Sequence, residues 1–265
     1  MTADAGLVAE NLTLVRGGRA VVRAVSAALE PGQITAITGP NGAGKSSLLL
    51  GLAGLLPPTG GQVALEGRTL AAMAPPERAR ALGYLPQSPD IAWDVAVENL
   101  VALGRLPWRD RGTAEVAAAL AALDLEALRK RPVSRLSGGE RARVLLARVL
   151  AGTPRWILAD EPLAALDLAH QFRLIAHLKA CAAAGQGVVI VLHDLALAMN
   201  HADRVLVLKD GALLADGPPE TALAADVIAK GWETDVGWIG APGARALIFD
   251  DGAVRQAITN QGPER

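Results

Sequence analysis

Residues 39 to 46 read Gly39-Pro40-Asn41-Gly42-Ala43-Gly44-Lys45-Ser46, a complete Gly-x-x-x-x-Gly-Lys-Ser loop. A loop of this composition turns successive backbone N–H groups inward to cradle phosphate oxygens. Lys45 can then reach the β and γ phosphates, and the Ser46 hydroxyl can ligate Mg²⁺. The loop functions between a buried strand and a helix N-terminus, where free amides and the helix dipole favour an anion. Both neighbours are legible. The apolar run Gln33-Ile34-Thr35-Ala36-Ile37-Thr38 predicts a buried strand, and Lys45 to Leu55 predicts a helix. The motif therefore implies an α/β chain that binds a nucleoside triphosphate with its magnesium.

With 265 residues the chain can bury a large core as one α/β unit or as two lobes. Its net charge of -1 and pI of about 6.4 give no nucleic-acid footprint, so no nucleic acid is expected among its partners. A single cysteine, Cys181, excludes a disulfide framework or a thiolate metal site within one chain. Residues Met1-Thr2-Ala3-Asp4-Ala5-Gly6 lack the basic segment and apolar core of a secretory signal. Mean hydropathy is +0.28, high enough to require a check for membrane spans. Ser46 to Leu65 carries no charge, but Pro57-Pro58-Thr59-Gly60-Gly61 breaks it into a helix, a turn and a strand. No transmembrane segment is expected, and any membrane role must come through a partner.

Residues 7 to 30 hold short apolar stretches split by Gly17-Gly18, as in a small antiparallel sheet. From Asp90 to about Ala151 strand-like runs give way to alanine- and leucine-rich helical patterns, Val116–Leu123 and Arg141–Leu150 among them. Strands return at Arg155–Ala159 and Gly187–Leu192, both continuous apolar runs as expected for parallel strands covered on both faces. Val205–Leu208 and Ala212–Leu214 flank Lys209-Asp210-Gly211, a hairpin with a primed turn. Trp238 and Ala246–Phe249 predict a further small hairpin in the tail.

Asp160 and Glu161 end the strand that begins near Ile157, where an α/β sheet binds ligands. Asp160 can hold Mg²⁺ directly or through water, and Glu161 can polarise an attacking water. Leu136-Ser137-Gly138-Gly139-Glu140 forms a capping box, with Ser137 capping the helix and Glu140 reaching back. Its two glycines also let an outside anion approach that helix N-terminus closely.

Taken together, Leu136–Glu140, the phosphate loop, Gln87, Asp160-Glu161 and His193 resemble the ATP-binding subunit of ABC transporters, over about Leu7 to Pro219. The resemblance implies an ABC ATPase cassette: a RecA-like P-loop core, a small antiparallel β subdomain and a helical subdomain. The cassette would span residues 1–230 with the helical subdomain inserted at about 88–151, followed by a short extension over 231–265. It implies ATP hydrolysis with Mg²⁺ in a head-to-tail homodimer, each ATP held between the phosphate loop of one subunit and Ser137-Gly138-Gly139 of the other. Gln87 matches the glutamine that contacts Mg²⁺ and senses the permease, His193 the histidine at the γ-phosphate, and Asp167 an aspartate at the dimer interface. The implied partners are integral-membrane permease subunits and, indirectly, an extracytoplasmic substrate-binding protein. The implied location is the cytoplasmic face of the inner membrane, as a peripheral subunit.

Four positions depart from the family pattern. Arg16 falls where an aromatic residue usually stacks on adenine; its guanidinium could stack on the base or stand solvated. Glu140 replaces the usual glutamine and is expected to turn back into its cap. Ala164 stands where a serine is frequent, and Ser47 follows Ser46 where threonine is common. Leu166–Gln171, His193–Ala198, Val101–Arg105 and the Trp232–Phe249 tail resemble importers of iron-siderophore, haem and cobalamin type. The alternative is a soluble ABC-type ATPase acting in cofactor or cluster assembly.

Overall fold

The computed structural model of the chain describes residues 6–87, 94–164 and 166–249. The expected start of the helical insertion at Ser88 to Asp90, residues 250–265 of the extension and most of the N-terminal segment lie outside these residues.

Strand β1 (Leu7–Arg16) turns at Gly17-Gly18 into β2 (Arg19–Leu29), and β3 (Ile34–Thr38) leads through the phosphate loop into α1 (Lys45–Leu52). Helix α1 is shorter than its apolar pattern suggests, because Gly54 takes a φ of 66° and turns the chain. Next come β4 (Gly60–Leu65), β5 (Arg68–Thr69), α2 (Pro75–Ala81) and β6 (Leu82–Leu85). The described part of the following region holds helices and no named strand, with one isolated bridge between Ala96 and Pro132: α3 (Val97–Ala102), a 3₁₀ segment over Leu103–Trp108, α4 (Thr113–Ala122) and α5 (Gly138–Ala151). Then follow β7 (Trp156–Asp160), α6 (Leu168–Ala183), β8 (Gly187–Val191), α7 (Leu195–His201), β9 (Arg204–Lys209) and β10 (Ala212–Gly217). The short helices α8 (Pro219–Ala222) and α9 (Ala225–Trp232) and the hairpin β11 (Val236–Ile239) with β12 (Ala246–Phe249) end the described chain.

The strands form a six-stranded sheet ordered β10-β9-β3-β8-β7-β6 and a four-stranded sheet ordered β2-β1-β4-β5. In the first, only β10 runs antiparallel to its neighbour, whereas every pairing in the second is antiparallel. The continuous apolar character of β3, β7 and β8 follows from their two covered faces. Ile34, Ala36, Ile157, Ala159, Val188 and Ile190 pack into one core with α3 to α7. The alternating residues Ile37, Trp156, Leu158, Val189 and Val191 pack into a second core with α1 and the antiparallel sheet. The β9–β10 turn has Asp210 at φ 50° and Gly211 at φ 79°, the primed geometry the sequence predicts.

Arg105 ties the helical region together. It is only 4% exposed, yet it is held by Asp110 at 2.9 and 2.7 Å and by the Ala151 carbonyl at 3.2 Å. Its guanidinium and that of Arg80 each lie 4.9 Å from the Trp108 ring, which joins α2 to the helical region. At the far end, Asn200 of α7 exchanges two 2.8 Å hydrogen bonds with the backbone of Arg245, and Trp238 donates to the Leu223 carbonyl, so the terminal hairpin is fastened to the body. Among the described residues no helix is long and apolar enough to cross a membrane.

Candidate functional site

The phosphate loop leaves the end of β3, the third strand of the six-stranded sheet. Gly39 and Gly44 adopt φ of 147° and 99°, and a Cβ on either would come within 2.2 Å of a carbonyl oxygen, Leu208 or Val21 respectively. Only glycine permits this close approach of loop, β9 and β2. Gly44 also occupies the N-cap of α1, where it has no side chain to satisfy the first-turn amides. Those amides remain oriented for an anion.

Lys45 is buried and folds back on the loop, with Nζ donating to the carbonyls of Gly39 at 2.8 Å and Pro40 at 3.0 Å. Burial lowers its pKa, while the charges of Glu161 and Asp160 act in the opposite sense. Ser46 Oγ donates to Asp160 Oδ1 at 3.0 Å. Asp160 is buried at the end of β7, and its pKa is raised by desolvation against the lowering effect of the Ser46 hydrogen bond. A hydroxyl and a buried carboxylate in contact are a hard-oxygen pair suited to Mg²⁺, and a cation there would favour the ionised carboxylate.

Glu161, the first residue beyond β7, has φ 49°, which turns its side chain away from the strand direction. Its carboxylate accepts from Gln87 Nε2 at 2.6 Å and also from His193 Nε2. Three residues separated by as much as 106 positions in sequence thus meet through β6, β7 and β8, which are neighbours in the sheet. Asp194, the residue after His193, caps α7, accepting from the amides of Ala196 at 2.8 Å and Leu197 at 3.0 Å. A cavity of about 600 Å³ is lined by Arg16, Val21, Asn41, Gly42, Gly44, Lys45, Ser46, Ser47, Gln87, Glu161 and His193.

Ser137, Gly138 and Gly139 do not line that cavity in their own chain. Ser137 caps α5 through the Glu140 amide at 3.2 Å, and Glu140 reaches back to the Ser137 amide at 2.8 Å, as expected. A Cβ on Gly139 would lie 3.7 Å from Leu166 and 3.8 Å from His170, so this segment packs beside the start of α6. There Asp167 accepts from the His170 amide at 2.9 Å and from its Nδ1 at 2.6 Å. Val21 lines the cavity, and Asp194 caps the helix that follows His193; the motifs reveal neither. Val21 reaches the cavity through the β1–β2 hairpin pairing, and Asp194 carries only a weak signal as an Asp before an apolar helix.

A phosphate loop on the central strand, a carboxylate pair across it and a second glycine-rich helix start held apart define an ATP-binding cassette. The sequence profile of the ABC transporter family matches residues 22–164. The chain belongs to the ABC transporter family, as an ATP-hydrolysing, ATP-binding domain. It is 42% identical over 245 residues to the hemin import ATP-binding protein HmuV of Streptomyces coelicolor, covering 91% of this chain and 88% of that protein. It is 46% identical over 224 residues to HmuV of Pseudomonas entomophila, covering 81% and 87%. Among solved structures, an inward-facing ABC transporter described as of metal-chelate type superposes with a TM-score of 0.77 at 26% identity, covering 92% of this chain and 96% of that one.

Proposed function

We propose that this chain is the ATPase subunit of an importer for haem or a related metal chelate. The observation that carries the reading is the 42% identity, over nearly the whole chain, to a protein named for hemin import. The likeness to a metal-chelate transporter supports it and favours the importer over a soluble assembly ATPase. In this reading two copies pair head to tail beneath two permease subunits on the cytoplasmic face of the membrane. An extracytoplasmic binding protein delivers the cargo. Residues 1–230 form the cassette, with the helical subdomain inserted at about 88–151, and 231–265 form an extension.

The candidate residues take distinct roles in hydrolysis. Loop amides and Lys45 bind the β and γ phosphates, with Lys45 exchanging two loop carbonyls for phosphate oxygens. Ser46, Asp160 and Gln87 would hold Mg²⁺, which when bound neutralises the charge developing on the phosphates. Glu161 accepts the proton of the attacking water, and ADP leaves as the bond to the γ-phosphorus breaks. Gln87 and His193 orient the Glu161 carboxylate before the nucleotide arrives, and His193 then contacts the γ-phosphate. Ser137, Gly138 and Gly139 contribute the opposing helix N-terminus from the second copy.

Affinity purification of the tagged chain from detergent-solubilised native membranes tests the reading. A polytopic permease should co-purify in equal amount, and the reconstituted complex should take up haem only with ATP inside. Recovery solely with soluble partners would overturn the importer reading while leaving the ATPase site standing.

A further inference from the structure

Strand β3 ends on a polar side chain. Thr38 is fully buried, and its hydroxyl has no hydrogen-bond partner among the described residues. Glu66, Arg143 and Arg245 also carry such an atom, but each is partly exposed and has further polar atoms, whereas the hydroxyl is the only polar group of the Thr38 side chain. Alternation along β3 places it. Ile34 and Ala36 face the core shared with Leu192, Leu195 and Ala198, and so does Val207, the residue paired with Thr38 on β9. Thr38 therefore faces that core at the end of β3 where the phosphate loop leaves, close to the start of α7, which packs on β3. On the side of β8 the ladder ends with the Leu192 amide donating to the Ile37 carbonyl at 3.1 Å, so His193 leaves the sheet beside Thr38 and Gly39.

A buried hydroxyl without a partner costs stability, and a valine of the same shape would avoid that cost. Thr38 stands between two segments that rearrange in the reading above. One is the loop beginning at Gly39, whose carbonyl gives up Lys45; the other is His193, which leaves Glu161 for the γ-phosphate. We propose that Thr38 is a positioning residue for His193, its hydroxyl bonding the backbone of residues 192–194 once His193 has turned to the γ-phosphate in the hydrolysis-ready arrangement. A bond made only in that arrangement speeds hydrolysis and leaves nucleotide binding by the single chain as it was. The proposal rests on the hydrolysis roles given above and adds the residue that steadies one of them.

Turnover, nucleotide affinity and urea midpoints of full-length Thr38→Val and Thr38→Ser provide the test. Thr38→Val should lower kcat by about three- to tenfold, the worth of one hydrogen bond, while a fluorescent ATP analogue binds within about twofold of the unmodified chain. Its urea midpoint should be equal or higher, since the unpaired hydroxyl is gone. Thr38→Ser keeps the hydroxyl and should recover most of kcat, even with a midpoint lowered by the lost methyl. Undiminished kcat in Thr38→Val, a serine variant as slow as the valine one, or affinity and stability lost together would overturn the proposal. The underlying reading fails in a different way: if the unmodified chain does not hydrolyse ATP, or His193→Ala turns over as fast as it does, the role of His193 falls and that of Thr38 with it.

Discussion

At the residue scale the site depends on a few side chains held in unusual backbone settings. Glu161 is a non-glycine residue at positive φ, directly after a buried strand, and two donors restrain its carboxylate. Strained backbone at such a place costs on the order of 1–3 kcal/mol and persists where the surroundings fix it. Glu161→Gln retains the shape but not the base. ATP binding should therefore persist while turnover falls by roughly 10²–10⁴-fold, read by phosphate release and by fluorescent nucleotide titration. Normal turnover would remove Glu161 from its role. Gly39→Ala tests the loop instead. The added methyl would meet the Leu208 carbonyl at 2.2 Å, so the loop must leave β9 or displace it. The expected outcome is a loss of more than about 2 kcal/mol in thermal unfolding together with lost nucleotide binding. A variant of unchanged stability would show that the loop moves freely.

At the element scale, α5 and the arginine stack make separate predictions. Hydrogen bonding from the Ser137 amide holds the Glu140 carboxyl below its usual range. Its ionised form thus stabilises the fold fully above the unfolded value of about 4.3, and the benefit disappears as pH falls through the lower folded value. Glu140→Gln keeps an acceptor but no charge. It should be less stable than the unmodified chain by about 0.3–1 kcal/mol at neutral pH, with the gap closing in acid. Urea midpoints along a pH series measure this, and a gap independent of pH would contradict it. Arg105→Ala removes a buried side chain that bridges Asp110 and the Ala151 carbonyl and stacks on Trp108; Asp110 is half exposed and can be solvated once alone, so the cost should be about 1–3 kcal/mol in the same assay.

Much of this was legible beforehand. The phosphate loop fixed the strand–loop–helix unit, and Ser137-x-x-Glu140 fixed the start of α5, because both depend on local spacing. The Asp210-Gly211 turn was legible for the same reason. What local spacing cannot carry is juxtaposition. Gln87, Glu161 and His193 converge only because β6, β7 and β8 are adjacent in the sheet. Val21 reaches the cavity only through the register of a hairpin. The clamp of Arg80, Trp108 and Arg105 gives no periodic signal, since its members lie in a short helix and a 3₁₀ segment rather than on one face of a long element.

At the scale of the whole molecule, Ser137, Gly138 and Gly139 do not line the phosphate cavity of their own chain, and the proposed reading places them against the nucleotide of a second copy. The phosphate cavity and the Ser137-Gly138-Gly139 helix start sit apart, so hydrolysis should require two copies. ATPase activity per molecule of the isolated chain should then rise with protein concentration across a dilution series. Strict proportionality to protein, at every dilution, would point to a self-sufficient monomer. Ser137→Arg should leave nucleotide binding by the single chain intact and abolish hydrolysis.

The separation of these surfaces also has a genetic reading. In the proposed head-to-tail dimer, Lys45→Ala and Ser137→Arg would each disable both composite sites when every subunit carries the change. In a mixed dimer of the two, the damage falls together on one site, and the other joins an intact loop to an intact helix start. Two inactive alleles expressed in one cell should therefore complement each other, whereas two alleles altered within the same surface should not.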